Sequence, residues 1–185
     1  YFNGGVGAGQ SYAYVGIKYN ATNTGTGGTN YKIIGNGTNS TMIMDKENKP
    51  RVLFSPEAPE ILFEDYGTAE LVNGEVYVPI DEILKESLYI DDKHPLKVFI
   101  QLEGDCNGVF VTEKSKNGFK VKELASGTSN TKFSWHIVAN RADDKDAQGN
   151  ITSEHVGLRL PYGPVPAKET QLAIKSNEKN IVAQK

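Results

Sequence analysis

Hydrophobic and polar residues alternate through the stretch from His94 to Arg141, and the alternation is broken by short turns. The pattern predicts four strands, at 97–103, 109–112, 119–124 and 133–138. Asn117-Gly118 is a strong hairpin signal, because both residues accept the positive φ of a type I′ turn. In the first strand Val98, Ile100 and Leu102 share one face, and in the fourth strand Phe133, Trp135 and Ile137 alternate with Ser134, His136 and Val138. We therefore expect an antiparallel meander with at least one apolar face that another layer covers.

The residues before this block predict a second hairpin and one helix. Asn73-Gly74 lies between the hydrophobic runs 69–72 and 75–80, which again indicates a type I′ turn. Residues 81–88 are the best helix candidate, since Asp81 can cap the first turn and apolar residues recur near one face. The fold class expected is mainly β, an antiparallel meander or sandwich with one short helix.

The first 44 residues differ in composition from the rest of the chain. They contain no Asp, Glu or Arg and are rich in Gly, Asn and Thr. Such a segment can be a flexible linker, because it has too little apolar surface to fold alone. It also holds two short strand-like runs, at 12–19 and 31–35, with tyrosines at 12, 14 and 19. These runs favour a second interpretation, an extended β shaft in which several chains share one core.

Proline and charge mark the expected boundaries. Pro56 and Pro59 break regular structure after a charged turn at 45–50, and three further prolines follow residue 160. We expect a shaft-like arm at 1–50, a β-rich domain at 51–166, and a tail at 167–185 that can form an edge strand. The chain lacks a starting Met and a signal-like segment, so we expect it to begin inside a longer protein.

Charge and hydropathy exclude some partners. The formal net charge of −3 over 185 residues gives no basic footprint, so we expect no nucleic-acid partner. No run of eighteen apolar residues occurs, so we expect no membrane insertion.

Residues with catalytic or metal-binding chemistry are sparse. Cys106 is the only cysteine and follows Asp105, which disfavours the thiolate; a pair with His136 needs a proximity that the sequence does not show. The run 144–149 is similar to the start of a calcium loop, but its twelfth position is His155 rather than Glu. The three histidines share no zinc-like spacing. We therefore predict no catalytic, metal or cofactor residues, and no enzyme.

Aromatic residues are the best candidates for ligand contacts. Aromatic faces pack against apolar surfaces, including those of sugars. Trp135, His136 and Tyr162 are the ligand-binding residues that we select, and Tyr66 and Tyr77 are further members of a possible aromatic platform. The alternative is that these side chains belong to the core or to its rim.

Three segments resemble a known family. They are SPEAPEILFEDYGTAELVNGEVYVPID, DDKHPLKVFIQLEGDCNGVFVTEKSKNGFKVKEL and FSWHIVANRAD. Together they resemble the carboxy-terminal domain of long, glycine-rich, tail-fibre-like or cell-surface repeat proteins of bacteria and phages, over roughly residues 51–160. The Gly/Asn/Thr-rich arm is similar in character to the repeats that precede that domain.

The resemblance implies a non-enzymatic terminal module of a homotrimeric fibre. Its expected role is attachment to a surface receptor, glycan or protein, or assembly and capping of the fibre, and its expected location is extracellular. The alternatives are a polysaccharide-active enzyme or an accessory carbohydrate-binding module, and a structural component of a phage or injection system.

Overall fold

The computed structural model describes residues 2–3, 11–20 and 27–165; the predicted tail at 167–185 lies outside them. Among the described residues no helix is long and apolar enough to cross a membrane. The strands in chain order are β1 Phe2–Asn3, β2 Tyr12–Tyr19, β3 Thr29–Gly35, β4 Ser40–Met44, β5 Pro50–Phe54, β6 Leu62–Glu70, β7 Glu75–Pro79, β8 Leu88–Tyr89, β9 Lys97–Leu102, β10 Val109–Ser115, β11 Gly118–Glu123, β12 Lys132–Arg141, β13 Asp144–Lys145 and β14 Ile151–Ser153. One short helix, α1, covers Glu82–Glu86. The prediction of a mainly β fold with antiparallel sheets and one short helix is confirmed.

Two antiparallel sheets form a sandwich around one hydrophobic core. In the first sheet β12 is central, between β6 on one side and β9 and β8 on the other; the second sheet has the order β10-β11-β7. The alternation seen in the sequence determines which side chains are inside, because successive residues of a strand face opposite sides. The core is built by Val78, Phe119 and Val121 of the second sheet, by Leu88, Phe133, Ile137 and Ala139 of the first, and by Leu71, Ile80 and Leu96 from the connections.

The predicted four-stranded meander is wrong, although its strands exist. β9 pairs with β12 and not with β10, whereas β10 pairs with β11, which pairs with β7. The loops after β9 and after β11 therefore cross from one sheet to the other. These crossings let the apolar faces of the two sheets pack against each other in one core. A single meander would leave its apolar face without a covering layer.

The Asn73-Gly74 turn and the helix are confirmed, whereas the hairpin at Asn117-Gly118 forms without the positive φ at Asn117 that a type I′ turn requires. Asn73 and Gly74 have φ values of 52° and 85°, as a type I′ turn requires, but beyond the Val72–Glu75 bridge the turn joins strands of different sheets. The Asp81 side chain accepts hydrogen bonds from the backbone N–H groups of Ile83 and Leu84 and so caps α1. The helix ends two residues before the predicted Leu88, which instead begins β8.

The arm strands β2 and β3 pair with each other and contact the chain's own C-terminal segment. The hydroxyl groups of Tyr12, Tyr14 and Tyr19 donate hydrogen bonds to the carbonyl groups of residues 164, 165 and 163, at 2.7, 2.7 and 3.2 Å. The Thr29 hydroxyl donates to the carbonyl of residue 154 at 2.6 Å. This part of the arm therefore packs on its own chain. The shaft interpretation instead expected the arm to pack on other copies of the chain.

The hairpin of β4 and β5 stands apart from both sheets of the sandwich. It forms a separate two-stranded sheet, and all ten of its residues are exposed. The predicted boundary between residues 50 and 51 falls inside β5 and therefore inside this hairpin.

Candidate functional site

The outer face of the first sheet carries a row of three aromatic rings across its strands. β12 is the central strand, and its even-numbered residues face away from the core. His136 lies opposite Tyr66 of β6 and Phe99 of β9 in the strand register. The His136 ring stacks on Tyr66 with centroids 4.4 Å apart and on Phe99 with centroids 5.4 Å apart. We call Tyr66, His136 and Phe99 the aromatic wall.

A polar row lies beside the aromatic wall. Thr68, Ser134 and Gln101 are opposite one another in the next same-face register positions, about 7 Å along the strands. The Ser134 hydroxyl donates to the carboxylate of Glu103. Within the described residues, no hydrogen bond to another protein group is found for the Thr68 hydroxyl or the Gln101 amide. We call this row the polar floor; wall and floor together line an open groove of about 590 Å³.

Glu64 gives the aromatic wall a negatively charged neighbour. Its carboxylate accepts a hydrogen bond from the Tyr66 hydroxyl, which raises the pKa of Tyr66. The same carboxylate lies 3.4 Å from Nε2 of His136, but the orientation does not make a hydrogen bond, and this buried Nε2 has no other partner among the described residues. The hydrogen bond to this carboxylate therefore keeps Tyr66 a neutral hydrogen-bond donor at the edge of the wall.

The groove combines apolar ring surface with uncharged hydrogen-bonding groups. Tyr66 and Phe99 are 63% and 55% exposed, so the wall offers aromatic surface to a ligand. The Thr68 hydroxyl and the Gln101 amide of the floor can both donate and accept hydrogen bonds, whereas the Ser134 hydroxyl donates to Glu103 and can only accept one from a ligand. This chemistry suits a neutral ligand that has hydroxyl groups and apolar C–H faces, such as a sugar.

The three ligand-binding residues selected from the sequence do not lie on one surface. His136 is the centre of the aromatic wall. The Trp135 side chain faces the core, edge-on to Phe119 at 5.8 Å, and crosses Gly67, where a Cβ would lie 2.4 Å from the indole ring. Tyr162 is 85% exposed in the extended segment that contacts the arm. Ligand binding by any of the three stays a prediction.

Sequence reasoning missed several of the groove residues. Phe99 and Gln101 alternate along the sequence with three aliphatic residues, and a phenylalanine on the strand face opposite to them was the available signal. Their position beside His136 depends on the pairing of β9 with β12, which the sequence did not predict. Of the further platform candidates, Tyr66 lies in the groove and Tyr77 lies on β7 of the other sheet.

The other candidates from the sequence do not line the groove. Cys106 is free and half-buried in the loop after β9, whereas the rings and carboxylate around His136 belong to Tyr66, Phe99 and Glu64. The Asp146 carboxylate accepts hydrogen bonds from the backbone N–H groups of residues 148 and 150, as in a hairpin tip. Among the described residues no group of three or more His, Cys, Asp or Glu side chains could hold a metal ion.

A buried Ser–His pair, which the sequence did not reveal, joins the arm to the C-terminal segment. Nε2 of His155 lies 2.9 Å from the Ser153 hydroxyl, and Nδ1 lies 2.8 Å from the carbonyl oxygen of Ala142. The Ser153 oxygen also accepts a hydrogen bond from the backbone N–H of Asn30. Both side chains are at most 1% exposed, and their hydrogen bonds tie the arm strand β3 to the segment after β13.

Comparisons of the chain with protein-family models, with curated proteins and with solved structures found no match in any of the three. The resemblance to fibre proteins therefore stays a prediction.

Proposed function

We propose that this chain is a non-enzymatic attachment module of an extracellular, fibre-like, self-associating assembly, and that its groove binds a surface glycan. The observation that carries the proposal is the pairing of the exposed aromatic wall with the polar floor on the outer face of the sandwich. A sugar ring can stack on Tyr66 or Phe99 while its hydroxyl groups replace water at Thr68, Ser134 and Gln101.

The charge around the groove favours a neutral or basic glycan over an acidic one. Glu64 lies behind the wall, and Glu103 holds the hydroxyl of Ser134 at the floor. A negative charge on the ligand would lie near these carboxylates and be repelled. The formal net charge of −3 acts in the same direction.

Self-association is the second part of the proposal, and the residues that support it are those of β4 and β5 rather than those of the arm strand β2. The tyrosines of β2 have partners in their own chain, so they no longer argue for a shared core. The exposed apolar residues of β4 and β5 do, because an isolated two-stranded hairpin is at best marginally stable in water. In a trimer, three grooves would raise the avidity for a glycan-covered surface without any new contact.

The Phe99→Ala variant tests the groove. We expect the affinity for the bound glycan to fall about fivefold, because one ring–sugar stacking contact contributes about 1 kcal/mol. A glycan array identifies the ligand, and titration calorimetry then compares the variants. The matched control is Phe110→Ala, since Phe110 is 45% exposed on the other sheet and should leave the affinity unchanged.

Three results would contradict this proposal. Equal losses in the Phe99 and Phe110 variants would remove the groove as the binding site. Binding to no member of a broad glycan panel would remove the glycan as the ligand. Release of soluble products from the polysaccharides of the panel would favour an enzyme instead.

A further inference from the structure

The outer edge of β9 presents backbone hydrogen-bonding groups that no other described strand uses. Among the described strands β9 pairs only with β12, and the backbone N–H of Glu103 donates to the carbonyl of Lys132. In an antiparallel ladder, residues bonded to the partner strand alternate with residues whose N–H and C=O groups point away from it. On β9 the outward residues are Val98, Ile100 and Leu102, and within the described residues their backbone groups have no hydrogen-bond partner.

The other edge strands of the sandwich, β6, β7 and β10, carry features that hinder the addition of a strand. On β6 the Asp65 carboxylate accepts a hydrogen bond from the backbone N–H of Tyr66 at 2.8 Å. On β7 Pro79 has no N–H to donate. On β10 the register shifts between Thr112 and Ser115, as in a bulge. β9, all of which the structure describes, has none of these features along its edge.

The sequence of β9 suits pairing with a second β9 strand about a two-fold axis at Ile100. Such an antiparallel pair places Val98 opposite Leu102 of the second copy and Ile100 opposite its own equivalent. Each of these pairs can exchange two hydrogen bonds, because their backbone groups point outward. On the outer face the pair places Lys97 opposite Glu103 of the second copy, at both ends of the contact. Opposite charges in directly opposing positions stabilise a strand pair.

Charge and exposure both favour this register. Lys97 and Glu103 are exposed, and neither forms an ion pair with the residues that the structure describes. A register shifted by two residues would separate these charges. Phe99, in the middle of the same face, is 55% exposed, and the pair covers it with Gln101 of the second copy. The edge is therefore complementary to itself, which identifies a second copy of this chain as its partner.

We infer that two copies of this chain pair through the outer edges of β9 and so join their first sheets into one continuous sheet. This inference rests on the self-association in the proposed function, but it uses an edge that lies outside β4 and β5. Each aromatic wall then continues into the polar floor of the other copy, because Phe99 lies opposite Gln101 across the pair. The second copy thus contributes a residue to the groove, while Tyr66 on the opposite edge strand keeps its ring open to a ligand.

The contact is small, so we expect a weak pair. Backbone hydrogen bonds and charge contacts along one short strand cover less surface than the ~1,600 Å² of a standard interface. We therefore expect the mass in solution to double as the protein concentration rises, with a dissociation constant below about 1 mM.

Charge-reversal variants of the full chain test the pair by analytical ultracentrifugation. Lys97→Glu and Glu103→Lys each turn the opposite-charge contacts at both ends into like-charge contacts, so we expect the dissociation constant to rise about tenfold or more. An equimolar mixture of the two variants should regain the doubled mass, because both end contacts are attractive again in the mixed pair. Lys116→Glu is the control, since it makes the same change in charge at an exposed turn between β10 and β11.

Amide hydrogen exchange identifies what covers the edge. In the wild type and the control, the N–H groups of Val98, Ile100 and Leu102 should gain protection in step with the doubling of the mass. Protection of these groups at the lowest concentration, with no doubling, would mean that a segment of the same chain covers β9, and it would overturn the pair.

The other contrary results separate this inference from the proposed function. A wild type whose mass does not double up to about 1 mM overturns the β9 pair. Doubling that persists in both charge variants overturns β9 as the contact and leaves self-association standing. A mixture of the variants that fails to double overturns the two-fold register. Glycan binding is decided separately, by the Phe99→Ala variant at concentrations where the chain does not pair.

Discussion

Phe119→Ala should lower the free energy of unfolding by about 3–5 kcal/mol, the usual cost of removing a buried phenyl ring. Phe119 is 0% exposed and belongs to β11, the central strand of the second sheet. Its ring packs at a steep angle on the Trp135 indole of the first sheet, with centroids 5.8 Å apart, so the deletion leaves a cavity between the two layers. Urea denaturation followed by Trp135 fluorescence measures the loss.

Phe110→Ala is the matched control for this prediction. Phe110 lies on β10, next to β11, but its side chain is 45% exposed and does not belong to the core cluster. We expect its loss to cost about 1 kcal/mol or less. Equal costs for the two variants would mean that the two sheets do not pack against each other through Phe119.

The local features of this fold could be predicted from the sequence because neighbouring residues determine them. Asn73-Gly74 forms the predicted type I′ turn, and Asp81 caps the predicted helix. The alternation around Ile100 and around Ile137 placed the correct faces inside. Each of these features depends on a backbone preference or on a period of two, which a short window of sequence contains.

Strand pairing could not be predicted in the same way. β9 and β10 follow each other closely, and consecutive strands often pair, which suggested a meander. The structure places them in different sheets because two sheets can bury both apolar faces against each other. That preference is a property of the whole core, not of the loop between the strands.

Part of the candidate site could be predicted from the sequence, because local alternation determines which face of a strand a residue occupies. His136 was selected and Tyr66 was considered, since both belong to strands with clear alternation. Phe99 joins them only through the pairing of β9 with β12. The contact of the arm with the C-terminal segment could not be predicted either, because the tyrosine hydroxyl groups of the arm donate to carbonyl groups that lie 144–152 residues later in the chain.

Glu123→Gln should lower stability at pH 7 by loosening the two loops that cross between the sheets. One carboxylate oxygen of Glu123 accepts hydrogen bonds from the backbone N–H and the side-chain amide of Asn107, at 3.0 and 3.1 Å. The other oxygen accepts a bond from the backbone N–H of Ser129, at 2.8 Å. Asn107 lies in the loop after β9 and Ser129 in the loop after β11, so one side chain holds both crossings. Glutamine has one acceptor oxygen and cannot serve both loops.

The effect of this substitution should depend on pH with a definite sign. The backbone N–H groups of Asn107 and Ser129 hold the pKa of Glu123 below its usual value of 4.5. A carboxylate with a lowered folded-state pKa adds stability above the unfolded-state pKa, and this contribution is lost as the pH falls through the folded-state pKa. The stability difference between wild type and Glu123→Gln should therefore be largest at pH 7 and shrink towards zero below pH 4.5. Urea denaturation at a series of pH values measures it.

Glu75→Gln separates this hydrogen-bonded carboxylate from an ordinary surface ion pair. The positive charge of Lys120, followed by hydrogen bonds from Lys120 and Lys122, lowers the pKa of Glu75, and both ammonium groups lie 3.5 Å away on the exposed strand face. Roughly 0.5 M salt screens such a pair, so the effect of Glu75→Gln should shrink. Salt should leave the effect of Glu123→Gln in place, because short hydrogen bonds from fixed backbone N–H groups produce it. If salt removes both effects alike, Glu123 acts only as a surface charge and the two crossing loops are held by other contacts.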